Sequence, residues 1–307
     1  MLDITLLGTG GVMPLPDRAL TALYVRWGSR ALLIDCGEGT QVAIRRQGLR
    51  FKPIGAIFLT HFHADHISGL PGLLLTMGNE GRREDVTIYG PRGLEKAVGA
   101  LLSIVGQLPF ALRLETLEGE ATLSLEDLTV TSIPLNHGVP CLGYRLDLPR
   151  PGRFDPRAAS DRGVPVTLWS RLQRGESLEG FTPGDVLGPP RRGLGVLYAT
   201  DTRPVPALTA LGQGVDLMIL EGMFGDPGKT LRARESCHMT MEEAATLAAR
   251  AGAKALWLTH YSPATPHPEE YAPRVQAVFP NTVTARDGQS LTLRFPDRDG
   301  PDFPEKE

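Results

Sequence analysis

His61-Phe62-His63-Ala64-Asp65-His66 follows directly on the apolar run Ile54-Gly55-Ala56-Ile57-Phe58-Leu59-Thr60. That run has the length and composition of a buried strand, so four polar, metal-competent side chains emerge at its mouth. Each would be costly to bury unpaired, and burying them together is worse unless a cation sits among them. Neutral imidazoles plus a carboxylate suit zinc. The bland alternative is a polar loop that happens to be rich in His, and the remaining histidines decide between the two.

Working outward, four more apolar runs end on a polar side chain of the same kind. Val130–Asn136 leads to His137, Val196–Thr200 to Asp201, Leu217–Leu220 to Glu221, and Leu256–Thr259 to His260. In layered α/β proteins, sites gather at strand ends, where loops converge on a rigid frame. The chain has only seven His, and four such endings beyond the first run are not explained by packing. The candidate donors are His61, His63, Asp65, His66, His137, Asp201 and His260. They are too many for one tetrahedral zinc and enough for two, with Asp201 bridging. Two metals roughly 3.5–4 Å apart can hold a hydroxide and neutralise the oxygens of a displacement at phosphorus. Manganese or iron would suit the same donors. His238 stands apart, just before a helix start that favours negative charge, and Glu221 is placed to orient its imidazole. His267, between two prolines, reads as a surface residue.

The remaining pattern alternates strand-like and helix-like segments, as expected of a layered α/β fold with mixed sheets. Leu2–Leu7 reads as a strand, and Thr21–Trp27 with Arg30–Asp35 as a hairpin turning at Gly28-Ser29. A helix is predicted over Ile67–Met77, a strand over Val86–Tyr89 and a helix over Leu94–Ile104. Ala121–Leu125 and Leu128–Leu135 predict a second hairpin. Gly195–Ala199, Val215–Leu220 and Ala255–Thr259 read as buried strands. Thr240-Met241-Glu242-Glu243 has the form of a capping box ahead of a helical run, Ala244–Ala251.

Between Arg150 and Arg192 this rhythm breaks. The stretch holds six Pro, six Gly and one short helical candidate, Leu168–Arg174, and reads as an inserted arm. Its arginines (Arg150, Arg153, Arg157, Arg162, Arg171, Arg174, Arg191 and Arg192) outnumber five acids, a net of +3, which leaves −6 on the rest of a chain of net −3. A basic arm on an acidic body can bind a polyanion, and from charge alone a solvated loop is an equally good reading. The expected organisation is one domain over residues 1–296 with an arm at about 150–192 and a frayed tail at 297–307. No apolar run reaches the roughly 18 residues of a membrane span. Cys36, Cys141 and Cys237 are odd in number and widely spaced, and no basic leader precedes Leu2, which points to the cytoplasm.

These residues together resemble the ribonuclease Z family, the tRNA 3′-processing endonucleases of the metallo-β-lactamase superfamily. The His61–His66 run marks only the superfamily. Asp35-Cys36-Gly37-Glu38-Gly39-Thr40-Gln41, His66-Ile67-Ser68-Gly69-Leu70-Pro71-Gly72, Gly143-Tyr144-Arg145 and Asp201-Thr202-Arg203-Pro204 are more specific to the family. The resemblance implies an αββα sandwich, two zinc ions, a homodimer and precursor tRNA as substrate. It implies that His61, His63 and His137 hold one metal, Asp65, His66 and His260 the other, and that Asp201 is shared. Asp65 would accept a proton from the nucleophilic water, and Glu221 with His238 would assist at the phosphate and leaving group. The arm resembles an exosite that grips tRNA away from the chemistry. This chain departs from the family pattern at Leu220, Met239, Pro165-Val166 and Ser262-Pro263-Ala264. On the same scaffold the alternative is a hydrolase of small phosphate or sulfate esters, with the arm as a lid.

Overall fold

The computed structural model describes residues 1–296; the tail expected to fray, 297–307, lies outside the described residues. Six strands come first: β1 (Leu2–Gly8), β2 (Ala22–Trp27), β3 (Arg30–Ile34), β4 (Ile54–Phe58), β5 (Val86–Gly90) and β6 (Leu112–Thr116). Seven more follow in a second sheet: β7 (Ala121–Leu125), β8 (Leu128–Pro134), β9 (Leu142–Arg150), β10 (Arg191–Ala199), β11 (Leu217–Glu221), β12 (Leu256–Thr259) and β13 (Thr282–Thr284). The last strand, β14 (Ser290–Leu293), returns to pair with β1 in the first sheet.

The two sheets run β14-β1-β2-β3-β4-β5-β6 and β13-β12-β11-β10-β9-β8-β7. In both, the strands of one half pair antiparallel and those of the other half pair parallel. Leu23, Val25, Leu32 and Phe58 of one sheet share a buried core with Val130, Tyr144, Leu146, Val196 and Ile219 of the other. The outer face of the first sheet is covered by Thr40–Arg46, Leu70–Asn79 and Leu94–Leu102, that of the second by Pro206–Leu211, Met241–Ala251 and Ala272–Val278. The result is the four-layer αββα sandwich. Of the strands whose ends carry the candidate donors, β4, β11 and β12, with β10 from Leu194 onward, are buried and apolar on both faces, as a sheet covered by helices requires. β8, ahead of His137, alternates.

Two expectations are corrected. The helix predicted over Ile67–Met77 is two, Ala64–Ile67 and Leu70–Asn79. Gly69 breaks it: its N–H bonds the Cys36 carbonyl at 2.9 Å, and a Cβ there would meet the Gly37 carbonyl oxygen at 2.0 Å. Backbone packs on backbone at that point, which only glycine permits. The helix begun at Leu94 ends at Leu102 rather than Ile104.

The arm is also more ordered than its Pro and Gly content suggests. Pro156–Asp161 and Val166–Gln173 are helices, the first capped by Asp155, whose carboxylate accepts from Arg157 and Ala158 N–H. They enclose a core of their own (Ala159, Val164, Leu168, Leu172 and Val186), sealed by Phe154 and Trp169. It is carried on β9 and β10, whose pairing extends to Arg150 opposite Arg191.

Candidate metal centre

All the chemistry-bearing side chains converge on one rim of the sandwich, beyond the ends of β4, β8, β10, β11 and β12. Thr60 leaves β4 with its N–H and hydroxyl on the Asp35 carboxylate, at 2.8 and 3.0 Å. The other oxygen of Asp35 accepts from His66 Nδ1 at 2.9 Å, which turns His66 Nε2 toward the centre. Asp35 is fully buried and holds φ at 62°, strained for a residue with a side chain. The sequence motif Asp35–Gln41 does not by itself assign Asp35 a role. A carboxylate at the end of a buried strand was the available signal.

The donors form two groups. His61 Nε2 lies 2.9 Å from His63 Nδ1, and His137 Nε2 lies 3.2 Å from that same atom. His137 is turned inward by its Nδ1, 3.4 Å from the Cys237 carbonyl. In the second group, His66 Nε2 and His260 Nε2 are 3.1 Å apart and lie 3.6 and 3.4 Å from Asp65 Oδ2. Asp201 stands between them. Its Oδ2 is 3.1 Å from both His66 and His260, while Oδ1 is 3.6 Å from His137. His260 is boxed in by Gly11, where a Cβ would come within 2.5 Å of the imidazole.

Whether these residues fit a metal can be tested on the protein itself. His61 Nε2 and His137 Nε2 both crowd against His63 Nδ1. Asp201 Oδ2 is buried without a well-aligned hydrogen bond, although two imidazoles are near it. Tetrahedral coordination at about 2.0–2.1 Å would hold such nitrogens roughly 3.3 Å apart, close to the spacings seen. Burial, reinforced by the neighbouring His66, drives the His61 imidazole down to about 2, so it is a neutral donor. Burial would raise the Asp201 carboxyl, but His260 and His66 override it and hold it well below the usual carboxylate range. Burial likewise lowers the His137 imidazole, and neutral imidazoles at His61 and His137 facing the Asp201 carboxylate are donors of the kind a divalent cation requires.

Glu221 and His238 form a separate pair beside this set. Glu221, fully buried, accepts from Thr202 N–H at 2.6 Å, Met239 N–H at 3.2 Å and His238 Nδ1 at 3.0 Å. Burial alone would lower the His238 imidazole. The Glu221 carboxylate, joined by Asp201 and Asp65, outweighs burial and lifts it to about 9. Arg203, missed as a positioning residue, bonds both the His238 carbonyl and Glu243 of the capping box. Val12, His63, Asp65, His137, Val139, Asp201 and His238 line an open cleft of ≈ 530 Å³ over the centre. The larger cavity, ≈ 680 Å³ beside Trp27 and Tyr89, holds none of these donors. His267 is exposed near Glu269, as expected.

The arm arginines do not join the centre. Arg157, Arg162, Arg171, Arg174 and Arg192 pair with Asp161, Asp185, Glu176, Glu176 and Asp216. Arg150 and Arg191 bond backbone carbonyls at the arm's base, and Arg153 lies in the loop that opens it.

Comparison with known proteins places the chain among relatives. The family of the anti-Pycsar protein Apyc1 matches residues 2–138, and the beta-lactamase superfamily domain matches residues 160–261. Ribonuclease Z of Lachnoclostridium phytofermentans is 50% identical over 300 residues, covering 96% of this chain and 99% of that protein. Ribonuclease Z of Lachnospira eligens is 45% identical over 302 residues, covering 97% and 99%. The crystal structure of human tRNase Z, short form, shares the fold with a TM-score of 0.70 at 24% identity, over 95% of this chain and 100% of that one. The chain belongs to the ribonuclease Z family.

Proposed function

We propose that this protein is a metal-dependent endonuclease that removes the 3′ trailer from precursor tRNA, cutting just after the discriminator base and leaving a 3′-hydroxyl. The observation that carries the reading is Asp201, whose two oxygens face separate donor groups in a chain of this family. Two zinc ions fit that division. His61, His63 and His137 would hold one, Asp65, His66 and His260 the other, and Asp201 both. When bound, the ions supply Lewis-acid neutralisation of charge on the phosphoryl oxygens. The chain's own groups do the rest. Asp65, anchored at 2.7 Å by the Val12 N–H, is placed to take up a proton from the attacking water. His238, charged by Glu221, stabilises the developing phosphate charge and protonates the leaving oxygen.

The arm would grip the tRNA body. Its ion pairs at Arg157 and Arg171 are exposed and weak, so phosphates can displace those acids at little cost. We also take the enzyme to be a cytoplasmic homodimer; three unpaired cysteines suit a reducing compartment. The test is incubation of the zinc-loaded protein with an unprocessed tRNA, beside a chromogenic phosphodiester and an aryl sulfate. A single cut at the discriminator, absent in His63→Ala, supports the reading. Turnover of the small esters with tRNA left intact overturns it in favour of a small-ester hydrolase.

A further inference from the structure

A second cleft of ≈ 380 Å³ adjoins the metal cleft, the two sharing Val139 as a wall. Its other walls include Pro91, Pro134, Pro140 and Leu117, and its charged side chains are Arg92 and Glu118. Both sides are tied to metal-ligand segments. Val139 lies two residues beyond His137. The turn carrying Arg92 packs on Phe62, which stands between His61 and His63. Phe62 ring atoms come to 3.5 and 3.6 Å from where Cβ atoms would sit on Gly90 and Gly93. Arg92 is exposed and has no acidic partner among the described residues.

We propose that this proline-walled groove holds the single-stranded nucleotides of the 3′ trailer, with Arg92 on their phosphate backbone. The inference rests on the tRNA reading above. Apolar walls accept the flat faces of bases without regard to sequence. A duplex hides those faces and presents phosphates, so the acceptor stem does not suit the groove while an unpaired trailer does. Proline and valine offer no side-chain hydrogen bonds to base edges, so the groove would tolerate trailers of any sequence. Glu118, facing the same space, repels phosphates and keeps the backbone on the Arg92 side.

The test uses precursor tRNAs alike except for trailers of one nucleotide or of about eight, within the site sizes of single-strand binders. For zinc-loaded Arg92→Glu, KM for the long trailer should rise about tenfold, the loss of one good contact. Its log–log salt dependence should become shallower by about 0.7, the share of one phosphate on a single strand. The one-nucleotide precursor should be cut as by the unaltered protein, and Arg92→Lys should restore the long one. Equal effects on both trailers, no effect on either, or a change in oligomer size would overturn the groove assignment while cleavage by the unaltered protein upheld the function. If the unaltered protein cuts neither precursor yet turns over a phosphodiester, the tRNA reading fails and the groove assignment fails with it.

Discussion

At Glu221, one buried carboxylate accepts from two backbone N–H groups and an imidazole, and its attraction favours the protonated form of its neighbour His238. With the imidazole lifted to about 9, activity should fall as pH rises through that value, because the proton donor is lost. In Glu221→Gln the largest attraction is gone and only Asp201 and Asp65 oppose burial, so the alkaline limb should move to lower pH. We expect kcat to drop by roughly two powers of ten in His238→Ala, with metal content unchanged. Parallel loss of metal and activity would instead make His238 a ligand. Combining it with Glu221→Gln should add little, because the two act as a unit. Asp35 differs in kind, since it positions His66 without touching substrate. Asp35→Asn should weaken metal affinity by about 10–100-fold, measured by competition with a chromogenic chelator. Unchanged affinity would reduce Asp35 to a structural role. Strain points to the same place: Val12, Asp35, Asp201, Cys237 and His260 all hold positive φ around the centre.

The β9–β10 pair is the element that carries the arm. It extends beyond the sandwich and ends in an arm with its own buried cluster around Leu168 and Leu172. Because that cluster shares no residue with the main cores, the arm can be removed without opening them. Deleting Gly152–Pro190 should weaken precursor tRNA binding and flatten its salt dependence, while hydrolysis of a small phosphodiester stays near normal. Binding by the shortened protein at matched salt, as tight as by the full chain, would rule out an exosite. Loss of small-ester turnover in a folded deletion variant would make the arm a lid. The arm also shows where sequence reading fell short. The helical candidate Leu168–Arg174 is found as Val166–Gln173, whereas the helix Pro156–Asp161 went unread, although Asp155 ahead of Pro156 is a helix-start signal.

Across the whole molecule, the centre draws on both sheets. His61 to His66 come from the first, whereas His137, Asp201, Glu221, His238 and His260 come from the second. A metal bound there would tie the sheets together, and its removal would leave the donors without that link. Dialysis against a chelator should lower Tm by on the order of 10 °C, reversed by adding back zinc, with close to two ions per chain at saturation. A Tm indifferent to chelation would mean that the centre does not couple the sheets. The apolar runs, the donors at their ends and the capping box were legible in the chain, because strand period, ligand chemistry and cap chemistry are local properties. Which donors face which could not be read locally. The division of Asp201 between two groups, the clamp of Asp35 on His66, and the break at Gly69 all depend on atoms far apart in sequence. Those contacts exist only once two sheets pack face to face, because their register sets the distances and no residue carries that register alone.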